Sequence, residues 1–203
     1  MKHIIDKSFS FCYGHRVHNQ RLDTRFTESG DACLACRHLH GHEGLIKIFL
    51  EEIVTGKNIG ETGMVTDFKH LGWVKNFIDD VLDHKMILDI KDPLIPHEVP
   101  EFCRTYHTSG TPDMPTISLD FEKCDKHLEG YWTPNLNWLS KDTPQAVFEK
   151  YEGMVFVDFV PTSENLAAWL MTIAAEKMNG IPNVRVCAVE YWETPKSHCR
   201  VEA

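Results

Sequence analysis

The densest group of chemically active side chains lies at residues 33–42. These ten residues include two thiols and three imidazoles: Cys33, Cys36, His38, His40 and His42. His40 and His42 are two residues apart, and on an extended strand that spacing directs both side chains to one face. Two neutral imidazoles on one face can share a metal ion.

The same stretch also fits a structural metal clip. Cys33 and Cys36 have the Cys-x-x-Cys spacing of zinc ribbons, and two of the histidines could complete a closed site with four ligands. A third interpretation is a set of surface histidines beside buried thiols, with no metal. From the residues alone, the three interpretations stay open.

The composition is typical of a soluble globular protein. The 203 residues suit one domain, or one domain with a sizeable insertion, and 42% of them are hydrophobic and 25% charged. Neither a membrane span nor the apolar core of a signal peptide is recognisable. Seven cysteines form an odd number without framework spacing, which indicates thiols or ligands in a reducing compartment. We therefore expect a cytoplasmic protein.

The net charge of -9 limits the classes of partner. It argues against a general nucleic-acid binder and against binding to an acidic membrane surface. A small anionic ligand remains compatible with this charge, because it needs only a local cluster of positive charge or a metal ion.

Strands and a helix in the first half of the chain must position the histidines. Alternating residue types from His3 to Tyr13 predict a strand with His15 just past its end. A second strand should begin at the His-Gly-His and run to Val54, forming an antiparallel pair with the first. Asp67 is the expected N-cap of a helix with apolar positions at helical spacing.

The second half predicts a strand at 154–160, a helix beginning at 161–164 with Thr162 or Ser163 as cap, and two closing strands at 184–192 and 198–201. Between the two helices, residues from about 93 to 150 carry seven of the ten prolines. We expect this segment to be an insertion with irregular structure.

The order of elements predicts the fold class. Strand, strand, helix, insertion, helix, strand, strand (β-β-α-α-β-β) is typical of an α+β protein in which two helices pack on one face of an antiparallel sheet. We expect residues 1–203 to form a single domain of this kind.

Six short motifs follow one another over about two thirds of the chain. They are Phe9-Ser10-Phe11-Cys12-Tyr13-Gly14-His15-Arg16, Cys36-x-x-x-His40-Gly41-His42, Gly63-Met64-Val65-Thr66-Asp67-Phe68, Leu82-Asp83-His84, Pro161-Thr162-Ser163-Glu164-Asn165 and Glu193-Thr194. In this order they resemble the 6-pyruvoyltetrahydropterin synthase and 6-carboxytetrahydropterin synthase family of tetrahydropterin and queuosine biosynthesis. The resemblance implies the tunnelling fold, whose subunits assemble into a barrel, usually as a hexamer built as a dimer of trimers.

The resemblance also implies a metal centre and a base. His15, His40 and His42 would bind Zn²⁺ and leave a fourth position for a substrate oxygen, as catalytic zinc sites do. Cys36 matches the family's catalytic thiol, a general base that removes a carbon-bound proton. A closed clip would instead use Cys36 as a ligand, and replacing it by alanine separates the two arrangements.

Further roles follow from the same resemblance. Asp83 and His84 match a dyad in which the carboxylate orients a proton-shuttling imidazole. Glu193 matches the carboxylate that holds the pyrimidinone edge of a pterin, and Thr162 and Glu164 lie near that recess in the family. The dyad and Glu164 also have simpler interpretations, because charges at helix ends are favourable without any ligand.

The implied activity is that of a zinc-dependent lyase. It would convert the small molecule 7,8-dihydroneopterin triphosphate to 6-carboxy-5,6,7,8-tetrahydropterin, with loss of acetaldehyde and triphosphate. One alternative performs the triphosphate elimination only and yields 6-pyruvoyltetrahydropterin. Another is a pterin-binding zinc protein without catalysis. The resemblance gives Cys33 and His38 no role, and the long insertion leaves the substrate range open.

Overall fold

The chain is described by a computed structural model covering residues 2–21, 23, 25, 34–53, 62–106 and 116–203. Its strands are β1 Ile4–His15, β2 His40–Glu52, β3 Lys85–Asp89, β4 Cys103–Tyr106, β5 Thr116–Leu119, β6 Cys124–Lys126, β7 Tyr131–Pro134, β8 Met154–Val157, β9 Val184–Thr194 and β10 Ser197–Glu202. Its α-helices are α1 Gly72–Phe77, α2 Ile95–Glu98, α3 Gln145–Glu152 and α4 Ser163–Lys177. Within these described ranges, none of the helices has the length and apolar character needed to cross a membrane.

The predicted α+β fold class is confirmed, and the strand pairing makes the sheet mostly antiparallel. Two compact units can be distinguished, and the first comprises Met1–Tyr13, Gly41–Asp83 and Thr162–Ala203. Its strands follow the order β10-β9-β2-β1, and β9 is antiparallel to both β10 and β2. The long strands predicted near both ends of the chain are therefore present, and β1 lies beside β2 as expected.

The helical segment after Asp67 has the predicted extent but is less uniform than a single α-helix. A 3-10 turn at Phe68–Leu71 leads into α1, and a π-helical turn at Ile78–Leu82 follows. The Asp67 side chain accepts a hydrogen bond from the amide of Lys69 at 2.8 Å, which satisfies one of the free donors at the helix start. The apolar positions predicted for this helix are buried: Leu71, Val74, Phe77, Ile78 and Val81.

The second unit comprises Gly14–His40 and His84–Pro161. Its main strands follow the order β3-β8-β7-β6, and β4 and β5 form a separate antiparallel pair. β3 and β8 run parallel, which departs from the predicted all-antiparallel sheet. A parallel pair requires a long crossover connection, and the chain between these two strands is long enough to supply one.

The segment at 93–150 contains short regular elements rather than the irregular structure expected. Its helices α2 and α3 and its strands β4–β7 surround a core of buried side chains. That core consists of Leu88, Ile95, Val99, Phe102, Leu119, Tyr151, Met154 and Phe156. Apolar burial of this kind stabilises short elements whose local sequence, rich in proline, gives only a weak signal.

Candidate metal centre and the residues around it

Strand alternation places His15 on a buried face. Along β1, Phe11, Tyr13 and His15 are buried, whereas the neighbouring Ser10 and Cys12 are exposed. Successive side chains of a strand point to opposite faces, so the three buried residues share one face. His15 is the last residue of β1 and is fully buried.

The other two histidines stand at the beginning of β2. His40 and His42 share a face with Gly44 and with the buried Ile46, because all four positions differ by two or a multiple of two. β9 pairs with β2, and the pairing begins at Leu45↔Trp192. Glu193 is the residue of β9 that follows Trp192. The ends of these strands thus carry three imidazoles and one carboxylate.

These four side chains form a group that could hold a metal ion. One ligand atom from each of His15, His40, His42 and Glu193 can be chosen so that all lie within 4.8 Å of one another. The three predicted zinc ligands are therefore brought together. Glu193, which the resemblance placed at the pterin, is the fourth member of the group.

Backbone carbonyl groups fix the tautomers of two of the histidines. Nδ1 of His15 lies 2.6 Å from the carbonyl oxygen of Pro161, and Nδ1 of His40 lies 2.8 Å from that of His38. A carbonyl oxygen can only accept, so each Nδ1 donates its proton there, and each Nε2 is the ring nitrogen that can face a metal ion.

The two Nε2 atoms face each other at 3.1 Å. Two lone pairs at this distance repel unless a cation lies between or beside them, and imidazole nitrogens held by carbonyl groups are a common metal-binding arrangement. The donor set of His15 and His40 therefore fits a divalent transition metal ion.

Glu193 and His42 form an ion pair, with Oε1 of the carboxylate 3.1 Å from Nε2 of the imidazole. A carboxylate in this position can ligate a metal ion directly or orient the imidazole next to it. A site with three histidine ligands keeps its fourth position for a substrate only when Glu193 does not occupy it.

Two tyrosines that the sequence interpretation left out border His42 and Glu193. The ring of Tyr13 lies 5.9 Å from that of His42, and Tyr13 and Tyr191 meet edge to face at 5.8 Å between centroids. Burial raises the pKa of both hydroxyls, and the Glu193 carboxylate adds to the shift, so both phenols stay neutral. The alternation of aromatic residues leading to His15 was the signal that could have identified Tyr13.

Cys36 lies on a 3-10 turn, Ala35–Arg37, and is partly exposed. Its carbonyl accepts from the amide of Val17 at 2.7 Å, and its own amide donates to Oε1 of Gln20 at 3.1 Å. Among the described residues, the possible metal ligands do not include Cys36. Cys33, the other thiol of the alternative clip, lies outside the described residues.

Four thiols elsewhere in the described part of the chain are poorer candidates for a base. Burial raises the pKa of Cys103 to about 11 and that of Cys124 to about 12. Burial also raises the pKa of Cys187 and that of Cys199. Because the thiolate is the reactive form, these four side chains are less suited to proton abstraction at neutral pH.

Asp83 and His84 stand between the π-helical turn and β3. The Asp83 carboxylate accepts a hydrogen bond from the amide of Cys12 at 2.8 Å. His84 is exposed and has a φ of 57°, a left-handed conformation that is uncommon for residues other than glycine. Neither belongs to the group of possible metal ligands among the described residues, so their role as a proton-transfer dyad stays a prediction.

Thr162 and Glu164 have clear roles at the start of α4. Oγ1 of Thr162 accepts from the amide of Asn165 at 3.3 Å, which makes Thr162 rather than Ser163 the N-cap. Glu164 is exposed in the first helical turn, where a negative charge is favourable. Both observations fit the simpler interpretation of these residues, and substrate binding by them stays a prediction.

Comparison with known proteins gives matches along nearly the whole chain. The profile described as 6-pyruvoyl tetrahydropterin synthase matches residues 4–203. A 6-carboxy-5,6,7,8-tetrahydropterin synthase of Aquifex aeolicus is 37% identical over 207 aligned positions, which cover 97% of this chain and 96% of that protein.

Solved structures show the same fold. An uncharacterized protein from Wolinella succinogenes is 40% identical with a TM-score of 0.83, and the match covers 100% of this chain and 98% of that one. A catalytic-residue mutant of 6-pyruvoyltetrahydropterin synthase from Plasmodium vivax is 15% identical with a TM-score of 0.52, covering 100% and 98% of the two chains. The predicted tunnelling fold is thereby confirmed.

Proposed function

This chain belongs to the 6-pyruvoyl tetrahydropterin synthase family, and from that premise we propose that it is a zinc-dependent 6-carboxytetrahydropterin synthase. The proposed reaction converts 7,8-dihydroneopterin triphosphate and one water molecule to 6-carboxy-5,6,7,8-tetrahydropterin, acetaldehyde and triphosphate, as a step of queuosine biosynthesis. The proposal includes a cytoplasmic homo-oligomer, a hexamer built as a dimer of trimers, that has no nucleic-acid or membrane partner.

One observation carries the metal part of the proposal. The Nε2 atoms of His15 and His40 lie 3.1 Å apart with both Nδ1 atoms engaged by carbonyl oxygens, and His42 belongs to the same group. Neutral imidazoles with this arrangement suit zinc better than magnesium or calcium, which prefer oxygen ligands. The similarity to the Aquifex aeolicus protein supports the choice of product.

The proposed mechanism assigns separate tasks to the chain's own residues. Bound zinc would supply Lewis-acid polarisation of the hydroxyl groups on the substrate side chain. The thiolate of Cys36 removes the proton from the adjacent side-chain carbon, and Asp83 and His84 move protons to and from the substrate oxygens. Tyr13 and Tyr191 keep water away from the histidines, which strengthens the electrostatic interactions there.

Glu193 exchanges partners in this proposal. In the free protein its carboxylate pairs with His42 at 3.1 Å. When the substrate is bound, the carboxylate accepts two parallel hydrogen bonds from the amino-pyrimidinone edge of the pterin, which have better geometry than a single contact to an imidazole. Thr162 and Glu164 border the same recess, and His15, His40 and His42 would then hold the metal ion without the Glu193 carboxylate.

A second candidate is elimination of triphosphate without cleavage of the side chain, which yields 6-pyruvoyltetrahydropterin. The name of the matching family profile favours it. Incubating the zinc-loaded protein with 7,8-dihydroneopterin triphosphate and identifying the pterin by mass distinguishes the two, and acetaldehyde should appear only in the first. No turnover at full zinc occupancy would exclude both and leave a non-catalytic pterin-binding zinc protein.

Replacing Cys36 by alanine tests the division between metal and base. We expect Cys36→Ala to retain one zinc per chain and to lose about 10²–10⁴-fold in turnover, the usual contribution of a general base. Cys199→Ala is the matched control, because this thiol lies on β10 and should leave both quantities unchanged. Loss of zinc from Cys36→Ala would instead indicate that Cys36 is a ligand, as in the closed clip.

A further inference from the structure

Residues 16–20 hold the turn that carries Cys36 by four hydrogen bonds. Two involve Cys36 itself: its carbonyl accepts from the Val17 amide at 2.7 Å, and its amide donates to Oε1 of Gln20 at 3.1 Å. The other two involve Arg37, whose Nε donates to the Gln20 carbonyl at 3.0 Å and whose carbonyl accepts from Nε of Arg16 at 2.5 Å. The turn is therefore fixed on both sides of the thiol.

A buried carboxylate also fixes the position of Arg16. Its Nη1 donates to Oδ1 of Asp92, a residue that is 2% exposed and lies just before α2. Oδ1 of Asp92 also accepts from the Leu94 amide at 2.8 Å. Nearby, the imidazole of His18 lies 3.0 Å from the carboxylate of Asp89, which is also buried. The segment at 16–20 is thus attached through two buried acids to the end of β3 and to the short connection between β3 and α2.

We propose that Gln20, Arg16 and Asp92 are positioning residues for the Cys36 thiol, and that the connection between β3 and α2 supports them. The inference rests on the proposed role of Cys36 as general base. Proton abstraction from carbon requires the thiolate to be placed accurately, and a displacement of about 1 Å at a reacting group can cost about 10²-fold in rate. Nothing in this arrangement would be needed to bind the metal ion.

The chemistry of Arg16 suits this role. Its planar guanidinium donates in two directions at once, through Nε to the Arg37 carbonyl and through Nη1 to Asp92. A lysine has a single nitrogen at the end of its side chain and cannot reproduce this fork. Removing the guanidinium would also leave the buried Asp92 charge without its ionic partner, a strongly unfavourable state.

Gln20→Ala tests the proposal with little risk to folding, because this partly exposed side chain contributes only one acceptor to the turn. We expect kcat to fall about tenfold or more, with KM within about twofold and zinc content unchanged. Gln20→Glu restores the acceptor and should recover most of kcat. Its negative charge near the thiol should move the acidic limb of the pH–rate profile, along which the rate rises as the thiolate forms, to higher pH, because a neighbouring anion disfavours the thiolate.

A second readout does not depend on substrate. The rate at which iodoacetamide alkylates Cys36, followed by peptide mass mapping, should rise at least about threefold in Gln20→Ala, because a released turn exposes the thiol. Arg16→Lys should behave like Gln20→Ala. Lys91→Gln is the matched control. Lys91 precedes Asp92 in the chain and forms an exposed ion pair with Asp158, so its replacement should change neither kcat nor the alkylation rate.

The combination of slower turnover and faster alkylation identifies a positioning role. If kcat and the alkylation rate were unchanged in both Gln20→Ala and Arg16→Lys, the proposal would be overturned. It would also be overturned if kcat and the alkylation rate fell together, because that result would indicate an effect on the reactivity of the thiol. If the unmodified protein shows no turnover, the proposed function fails, and the alkylation rates still decide whether these residues hold the turn.

Discussion

The carbonyl oxygens of Pro161 and His38 decide which nitrogens of the metal centre are available. Each accepts a hydrogen bond from an Nδ1 atom, from His15 at 2.6 Å and from His40 at 2.8 Å, and so directs the two Nε2 atoms toward each other. His38 received no role from the sequence, yet its backbone carbonyl orients His40, a candidate metal ligand two residues away. A carbonyl contact depends on the fold rather than on the side-chain type, so residue spacing alone could not reveal it.

Gly44 is a position where the aromatic wall of the site leaves no room for a side chain. A Cβ built there would lie 2.8 Å from Cζ of Phe11 and 3.1 Å from Cε1 of Tyr13. We expect Gly44→Ala to lower the free energy of unfolding by about 1–3 kcal/mol, the usual cost of overpacking a core. Urea denaturation measures this change, and zinc affinity should weaken too because Tyr13 packs against His42.

Gly72→Ala is the control for this substitution. A Cβ there meets no atom within 4 Å, and the residue has helical φ and ψ of -60° and -32°. It should leave stability unchanged or raise it by up to about 1 kcal/mol, because alanine is the better helix former. Equal effects of the two substitutions would show that the rings of Phe11 and Tyr13 do not limit the space at Gly44.

At the scale of elements, the strands that carry the ligands are those with the clearest periodicity. β1 and β2 were predicted within about two residues at each end, because alternation over 12 and 13 residues is a strong signal. The parallel pairing of β3 with β8 was missed. Each of these strands is a short apolar run, and a short run does not reveal the direction of its partner.

The N-cap of α4 gives a second testable consequence. Thr162→Ala removes the acceptor for the Asn165 amide and should lower the free energy of unfolding by about 0.5–2 kcal/mol. Thr162→Ser should retain most of this stability, since serine caps equally well. Ser163→Ala is the control and should stay within about 0.5 kcal/mol, because Ser163 is not the cap. Urea denaturation of the four proteins would contradict the assignment if Ser163→Ala were the more damaging change.

At the scale of the whole molecule, the predicted family and the predicted class of lyase are confirmed by the matches over residues 4–203 and 97% of the chain. The order of six motifs made this possible, because each motif marks a strand or helix end that the fold requires. The insertion carries no such motif. Its short elements are held by a core that joins residues far apart in sequence, such as Phe102 and Tyr151, so their presence could not be predicted locally.

The metal centre should also contribute to the stability of the whole chain. His15 ends β1, His40 begins β2 and Glu193 lies near the end of β9, so a bound ion would connect three strands that are distant in sequence. An ion that binds only the folded state adds about 2.7 kcal/mol at a free concentration 100 times its Kd. For a chain of this size that corresponds to a rise in Tm of about 5–10 °C.

Calorimetry before and after chelation tests this expectation. Removing zinc should lower Tm by about 5–10 °C, and adding zinc back should restore the original Tm. In His40→Ala, chelation should leave Tm nearly unchanged, because two imidazoles and a carboxylate hold the ion much more weakly than the full set. Cys36→Ala should respond to chelation as the unmodified protein does, since its thiol is assigned to the substrate and not to the metal. A chelation effect that disappeared in Cys36→Ala but persisted in His40→Ala would place the thiol among the ligands and exclude the open three-histidine site.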